Sequence, residues 1–302
     1  MTESAVQAAA TAARGLGLTV DDPTVLYDAF SVVVHLKPSP VVARVPITLP
    51  DHLMEPEVAV RRQQRELDVA AWLVEQGKPV AAPSPLVPLE PVQQDGFSMT
   101  FWQFVEQDKS AELDFVAGTA RAAELHAVLA EYPRELPWMA PLLAVPSVLA
   151  ELEAVPDLLG QEDVDRARAE WEVLGPLLTS RAEFEKVFPS ATVQAIHGDA
   201  PAYNVIPTAD GVLWSDFEDT TLGPIEWDLA GFGPDLGKVY DEAATALGRP
   251  VVDERIQHVM DTARVLQIMV CTPLVPRLPS LADGIRMFVG PWRDTPFAGG
   301  LG

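Results

Sequence analysis

Residues 193–232 read VQAIHGDAPAYNVIPTADGVLWSDFEDTTLGPIEWDLAGF, and three side chains in this stretch could do chemistry together: Asp199, Asn204 and Asp216. A carboxylate and an amide oxygen are hard donors of the kind Mg²⁺ accepts, and this ion keeps few protein ligands beside water and phosphate oxygens. Asn204 and Asp216 are therefore the candidate metal ligands. The other carboxylate, Asp199, is left to accept a proton from a hydroxyl. These parts are the minimum for phosphoryl transfer: a base that orients the nucleophile, and metal that neutralises charge on the transferred group.

The elements that must hold these residues are short strands. The apolar run Val193 to Ile196 ends in His197-Gly198-Asp199. Val205-Ile206, a turn carrying Asp210-Gly211 and the returning Val212-Leu213-Trp214 read as a hairpin. Asp199 then sits just past one strand, Asn204 just before the next and Asp216 just after the third. Strands fix their end residues, and loops off strand ends carry function. A tight hairpin brings Asn204 and Asp216 close together.

The spacing matches the kinase catalytic loop, in which an Asp is followed five positions later by a metal-binding Asn and then by an Asp-Phe-Gly. Here Gly198 replaces the Arg of that loop, and Glu218 replaces the Gly after Asp216-Phe217. With Gly223-Pro224 and Asp228-Leu229-Ala230 following, the segment closely resembles the aminoglycoside phosphotransferase and choline kinase-like family. The resemblance implies an α+β, two-lobed protein-kinase-like fold. It predicts a small antiparallel-sheet N-lobe for nucleotide over residues 1–105 and a larger, mostly helical C-lobe over 106–302. It also implies ATP with Mg²⁺ and transfer of the γ-phosphate to a small-molecule hydroxyl. Asp199 would be the base, and Asn204 and Asp216 would hold metal. His197 would brace the loop backbone, and Asp228 would orient it by hydrogen bonding.

Upstream, residues 3–15 read as an Ala-rich helix and Asp21-Asp22-Pro23 as a loop. Three short strands follow at Thr24–Tyr27, Ser31–Leu36 and Val41–Val45. Arg44 is the one charge in the third and resembles the cation that holds nucleotide phosphates. A helix over Glu57–Gln76 ends at Gly77, and its Glu66 resembles the partner that aims that cation. Between the first two strands Tyr27-Asp28-Ala29-Phe30-Ser31 has no glycine, so Ser31 is the phosphate-turn candidate, Asp28 must point away, and GTP is possible in place of ATP. Phe97–Phe104 is an apolar strand. Gln103 and Val105 after it resemble the hinge residues whose backbone bonds the base. Helices are expected at 117–129, 147–154 and 162–178, the last with a mixed-charge face read as solvated. Another helix should start over 224–230, and the clearest spans 253–270, with Ile256, Val259, Met260, Ala263 and Leu266 on one stripe. His126 reads as packed rather than catalytic, and the tail Phe297–Gly302 should fray.

Composition excludes other classes. The 302 residues carry a formal net charge of −23, which opposes nucleic acid and anionic membranes and suits a cationic ligand. Glu218, Asp219, Asp235 and Glu242 could line an acidic pocket for one, as could Asp241. A single cysteine, Cys271, rules out an internal disulfide and suggests the cytoplasm. No signal peptide or membrane span is read, and the chain could be a monomer or homodimer. Zinc spacing, a Gly-x-Ser-x-Gly elbow and a Walker A sequence are all absent. The expected activity is an O-phosphotransferase acting on an aminoglycoside or basic peptide antibiotic. The alternatives are a kinase of a small metabolite such as choline, an amino sugar or homoserine, and a degenerate kinase-fold binding protein.

Overall fold

Residues 1–301 are described by a computed structural model. In chain order the elements are α1 (Thr2–Gly15), β1 (Val20–Asp28), β2 (Ser31–Pro38), β3 (Val41–Pro46), α2 (Asp51–Met54), α3 (Pro56–Glu75), β4 (Val92–Gln94) and β5 (Phe97–Gln103). They continue with α4 (Phe115–Leu129), α5 (Val145–Glu151), α6 (Gln161–Leu178), α7 (Arg181–Val187), β6 (Val193–Ile196), β7 (Val205–Thr208), β8 (Gly211–Trp214) and β9 (Thr221–Pro224). The last helices are α8 (Gly233–Ala246), α9 (Glu254–Met269) and α10 (Leu281–Trp292). The chain divides into two compact units: Met1–Glu112 with Asn204–Glu218, and Leu113–Tyr203 with Asp219–Gly302.

The first unit is built on a five-stranded antiparallel sheet of order β1-β2-β3-β5-β4. Its strands are rich in β-branched residues, and Val32, Val34, Leu36, Val41, Ala43 and Val45 are buried. The alanines of α1 recur on one face, and their small side chains let that helix lie close on the sheet. Asp21-Asp22-Pro23, expected as a loop, belongs to β1, where Asp22 pairs with Lys37 and Pro23 with Leu36. The strand is at the sheet edge and carries register shifts, which is where proline and exposed acids are tolerated.

A single break at 105/106 does not describe these units, because the β7–β8 hairpin bonds to the first one. Ala81 N–H donates to Trp214 O at 2.8 Å, Trp214 N–H to Pro79 O at 2.8 Å and Asp108 N–H to Pro207 O at 2.9 Å.

The second unit is mostly helical around the short β6–β9 ladder. Two charged positions on the expected solvated face of α6 are buried instead. Asp163 is held by Arg293 at 2.7 Å, and Glu170 accepts from Trp292 Nε1 at 2.8 Å and from Ala298 N–H at 3.0 Å. The same contacts overturn the frayed tail, since Phe297–Gly300 forms a 3-10 turn with Ala298 buried; Gly302 lies outside the described residues.

The helix expected over 224–230 is a 3-10 turn, Ile225–Leu229, with every residue buried. Within it Glu226 Oε1 accepts from Asp253 N–H at 2.8 Å, while Oε2 has no partner among the described residues. Burial, with Asp253 and Asp241 nearby, pushes its carboxyl up to about 7 against the pull of its backbone hydrogen bonds. A carboxyl raised on folding stabilises fully below its unfolded pKa of about 4.3, and that contribution is lost as pH climbs through about 7. Glu226→Gln keeps the acceptor and removes the charge. Relative to the parent it should gain up to ~3 kcal/mol between pH 5 and pH 8. Urea midpoints measured across that range check this, and parallel curves would reject it.

Candidate active site

The His197-Gly198-Asp199 loop is held from the turn after β9. Asp228, fully buried, accepts from His197 N–H and Gly198 N–H, each at 2.8 Å. His126 Nε2 lies 2.9 Å from the same carboxylate, and its Nδ1 lies 2.8 Å from the Tyr240 hydroxyl, so His126 is packed as expected. Burial opposes the charge on Asp228, but the hydrogen bonds from His126 and Gly198 outweigh it and hold the group below the usual carboxylate range. Trp227 Nε1 closes the loop by donating to Gly198 O at 2.7 Å. Gly198 has φ +90, and Ala200 beyond Asp199 has φ +42. Positive φ at a non-glycine residue is a strained state of the kind that gathers at functional loops.

Asp199 emerges from this frame with its side chain 47% exposed, enough to meet a ligand. Its N–H donates to His197 Nδ1 at 3.2 Å. One carboxylate oxygen lies 3.3 Å from Arg264 Nη1. Arg264 is buried on α9, with Nη2 donating to Trp227 O at 3.1 Å and its guanidinium 4.0 Å from the Trp227 ring centroid. Burial holds its pKa below the ordinary arginine value although Asp199, Asp228 and Asp219 favour the cation. Sequence reasoning missed Arg264. The available signal was a cation directly beside Ala263 in a helix stripe that is otherwise apolar.

In the first unit Arg44 gathers acids. Its Nη1 is 2.8 Å from Glu66 Oε1, and its Nη2 is 2.8 Å from Asp216 Oδ1 and 3.1 Å from Glu218 Oε1. Burial works against the Arg44 charge, but Asp216, Glu218 and Glu66 outweigh it and keep the guanidinium protonated. Burial pushes the Glu66 carboxyl up; Arg44 opposes this, and crowding by Glu218 and Asp216 leaves it raised. Asp216 sits at φ +65. Ser215 N–H donates to Asn204 O at 2.9 Å, so the hairpin brings the backbone at Asn204 beside the residue before Asp216.

Other expected positions fall differently. Glu218, nominated to face a cationic substrate, is buried and spends its carboxylate on Arg44 and on Arg62 at 3.3 Å. Its carbonyl also accepts from Arg65 Nε and Nη2. The cause is that α3 carries Arg62 and Arg65 beside Glu66, so this acid is consumed internally. Ser31 is 4% exposed at the start of β2, opposite Pro46. The Asp28 carboxylate accepts from Thr2 Oγ1 at 2.9 Å. Gln103 N–H donates to Ala82 O at 2.9 Å, so that donor is used within the chain. Asp235 is exposed and pairs with Lys238 at 3.2 Å; Glu242 is exposed on α8, and Asp219 is half-buried.

A family model described as the phosphotransferase enzyme family matches residues 33–255, well over half of the chain. The protein belongs to that family. No curated protein matches it by sequence. Solved structures that resemble it include the GDP and kanamycin complex of APH(2")-IIia, with TM-score 0.62 and 12% identity, covering 94% of this chain and 97% of that one. A choline/ethanolamine kinase family protein from Mesorhizobium loti matches with TM-score 0.59 and 14% identity, covering 100% of this chain and 98% of the other. The aminoglycoside phosphotransferase APH(3'')-Id from Streptomyces rimosus, in complex with ADP and streptomycin, matches with TM-score 0.56 and 19% identity over 87% and 98%. At such identities the likeness carries the fold, which is α+β and kinase-like, with the antiparallel sheet in the first unit and the helices mainly in the second. Membership in the phosphotransferase enzyme family supports transfer of phosphate to a small molecule. Among the described residues no helix is long and apolar enough to cross a membrane.

Proposed function

We propose that this phosphotransferase moves the γ-phosphoryl group of ATP or GTP to a hydroxyl of a small cationic molecule. One observation carries the reading: Asp199 presents a half-exposed carboxylate on a loop whose backbone is otherwise tied to Asp228 and Trp227. A carboxylate so placed accepts the hydroxyl proton as the oxygen attacks the γ-phosphorus. The bond from phosphorus to the bridging oxygen breaks, and the nucleoside diphosphate leaves. Pre-paid orientation supplies much of the rate gain. Arg44 holds phosphate oxygens, with Glu66 fixing its direction. Val105 offers backbone groups to the base.

The donor set fits Mg²⁺. No group of three or more His, Cys, Asp or Glu side chains gathers as a metal site among the described residues. Mg²⁺ asks for one or two protein oxygens, with water and phosphate completing its shell. Asn204 and Asp216 would hold it, and the ion would supply charge neutralisation on the transferred group. Arg44 Nη2 lies 2.8 Å from Asp216 Oδ1 and is its counter-charge.

The acceptor is read as cationic from the net charge of −23. Antibiotics of the aminoglycoside or basic peptide class are the leading substrates. A quaternary amine such as choline is the second reading, favoured by the full-length match to a choline/ethanolamine kinase family protein. With Glu218 spent on arginines, Asp235 paired with Lys238 and Asp241 accepting from Val252 N–H, Asp219 and Glu242 are the nominated acids left to meet such a cation. The test is release of ADP or GDP with Mg²⁺ across aminoglycosides, basic peptide antibiotics, choline and amino sugars. Turnover on a polycation is the expected result; turnover on neutral sugars alone would discard the cationic acceptor. Arg44→Lys retains charge but loses the forked contact to Glu66 and Asp216. It should raise the nucleotide KM roughly tenfold. An unchanged nucleotide KM would remove Arg44 from the phosphate role.

A further inference from the structure

The first unit also holds a cavity of about 70 Å³, room for several water-sized groups, that no step above uses. Its walls come from the segment after β3, from α3 and from the β4–β5 hairpin. Leu49, Leu53, Met54 and Phe97 make it largely apolar, and Gln63 lines it from α3. Gln63 is 2% exposed, yet its Nε2 has no hydrogen-bond partner among the described residues. Turning the amide over does not cure this. Ser98 Oγ accepts from Gln93 Nε2 at 2.7 Å and donates to the Gln63 carbonyl oxygen. With Ser98 donating to Gln63 Oε1 the orphan is a donor, and a buried donor left unpaired is destabilising.

We propose that this cavity binds a small, uncharged, mainly apolar molecule carrying one acceptor oxygen, such as a ketone or a secondary amide, whose oxygen takes the Gln63 Nε2–H. Charge selects the neutral form. Glu218 is part of the wall and lies 3.3 Å from Arg62, so a ligand carboxylate would meet that acid and compete with it for the same cation. The site has a route to control. Arg62 and Glu218 belong both to this wall and to the cluster around Arg44, so an occupant that moves either one re-aims Arg44. That consequence rests on the phosphate role proposed for Arg44; the binding itself does not.

The full chain would be titrated with N-butylacetamide, cyclohexanone and butanoate, following binding by calorimetry and by ligand-observed NMR. The neutral probes should bind at least fivefold more tightly than butanoate. Gln63→Leu should weaken them at least fivefold, and Ala59→Met, which fills the cavity from α3, should abolish binding. If Gln63→Leu does not fold, Ala59→Met decides alone. Neutral probes that bind no better than butanoate, or that bind Ala59→Met as they bind the parent, overturn the proposal. A cavity that takes only water gives no probe binding and overturns it equally. Probe binding in a chain that transfers no phosphate would keep this site and discard the proposed reaction.

Discussion

Asp199→Asn is expected to lower kcat by about 10²–10⁴-fold while nucleotide affinity stays within a factor of two or so. The amide cannot take the hydroxyl proton, although its shape is nearly unchanged. The loop should survive the change, because its fixed points lie elsewhere: His197 N–H and Gly198 N–H on Asp228, and Gly198 O under Trp227 Nε1. Arg264 Nη1, 3.3 Å from Asp199, can donate to the Asn oxygen as it does to the carboxylate. Thermal midpoints of the two proteins should therefore agree, separating a lost proton acceptor from a damaged fold. Turnover in the variant within tenfold of the parent would sink the assignment of Asp199 as base.

Among the described glycines, Gly198→Ala should be the most damaging added methyl. At φ +90 the residue is in the left-handed region, and a Cβ there would stand 1.9 Å from the Asp219 carbonyl oxygen. The obstacle is backbone, not the end of a flexible side chain. Moving Gly198 aside breaks its bonds to Asp228 and Trp227, all of them buried. A loss of ~3 kcal/mol or more in unfolding free energy follows, with activity lost in whatever remains folded. Denaturant unfolding measures it. A variant with the parent's stability and turnover would mean that the loop is not held as described. The same contact explains why glycine stands where a protein kinase loop has arginine: the Asp219 backbone occupies the space.

Much of this protein is legible along the chain because its signals are local. The spacing of Asp199, Asn204 and Asp216, the turn at Asp210-Gly211 and the β-branched runs of β2 and β3 each depend on a few neighbouring residues. They determined the kinase-like fold and the candidate chemistry. The Arg44–Glu66 pair was legible as well, but through the resemblance to a strand cation and the helix glutamate that aims it. What only the tertiary structure decided are the fates of charges whose partners are remote in sequence. Glu218 looks like a free acid until Arg62 and Arg65 of α3 close on it. Glu170 looks solvated until Trp292 and Ala298 arrive from the other end of the second unit. Arg264 is one position on an apolar helix until packing sets it against Asp199 and the face of Trp227. The physical reason is common to all three. Burying a charge is costly unless partners surround it, and where those partners lie is a property of the folded chain rather than of any window along it.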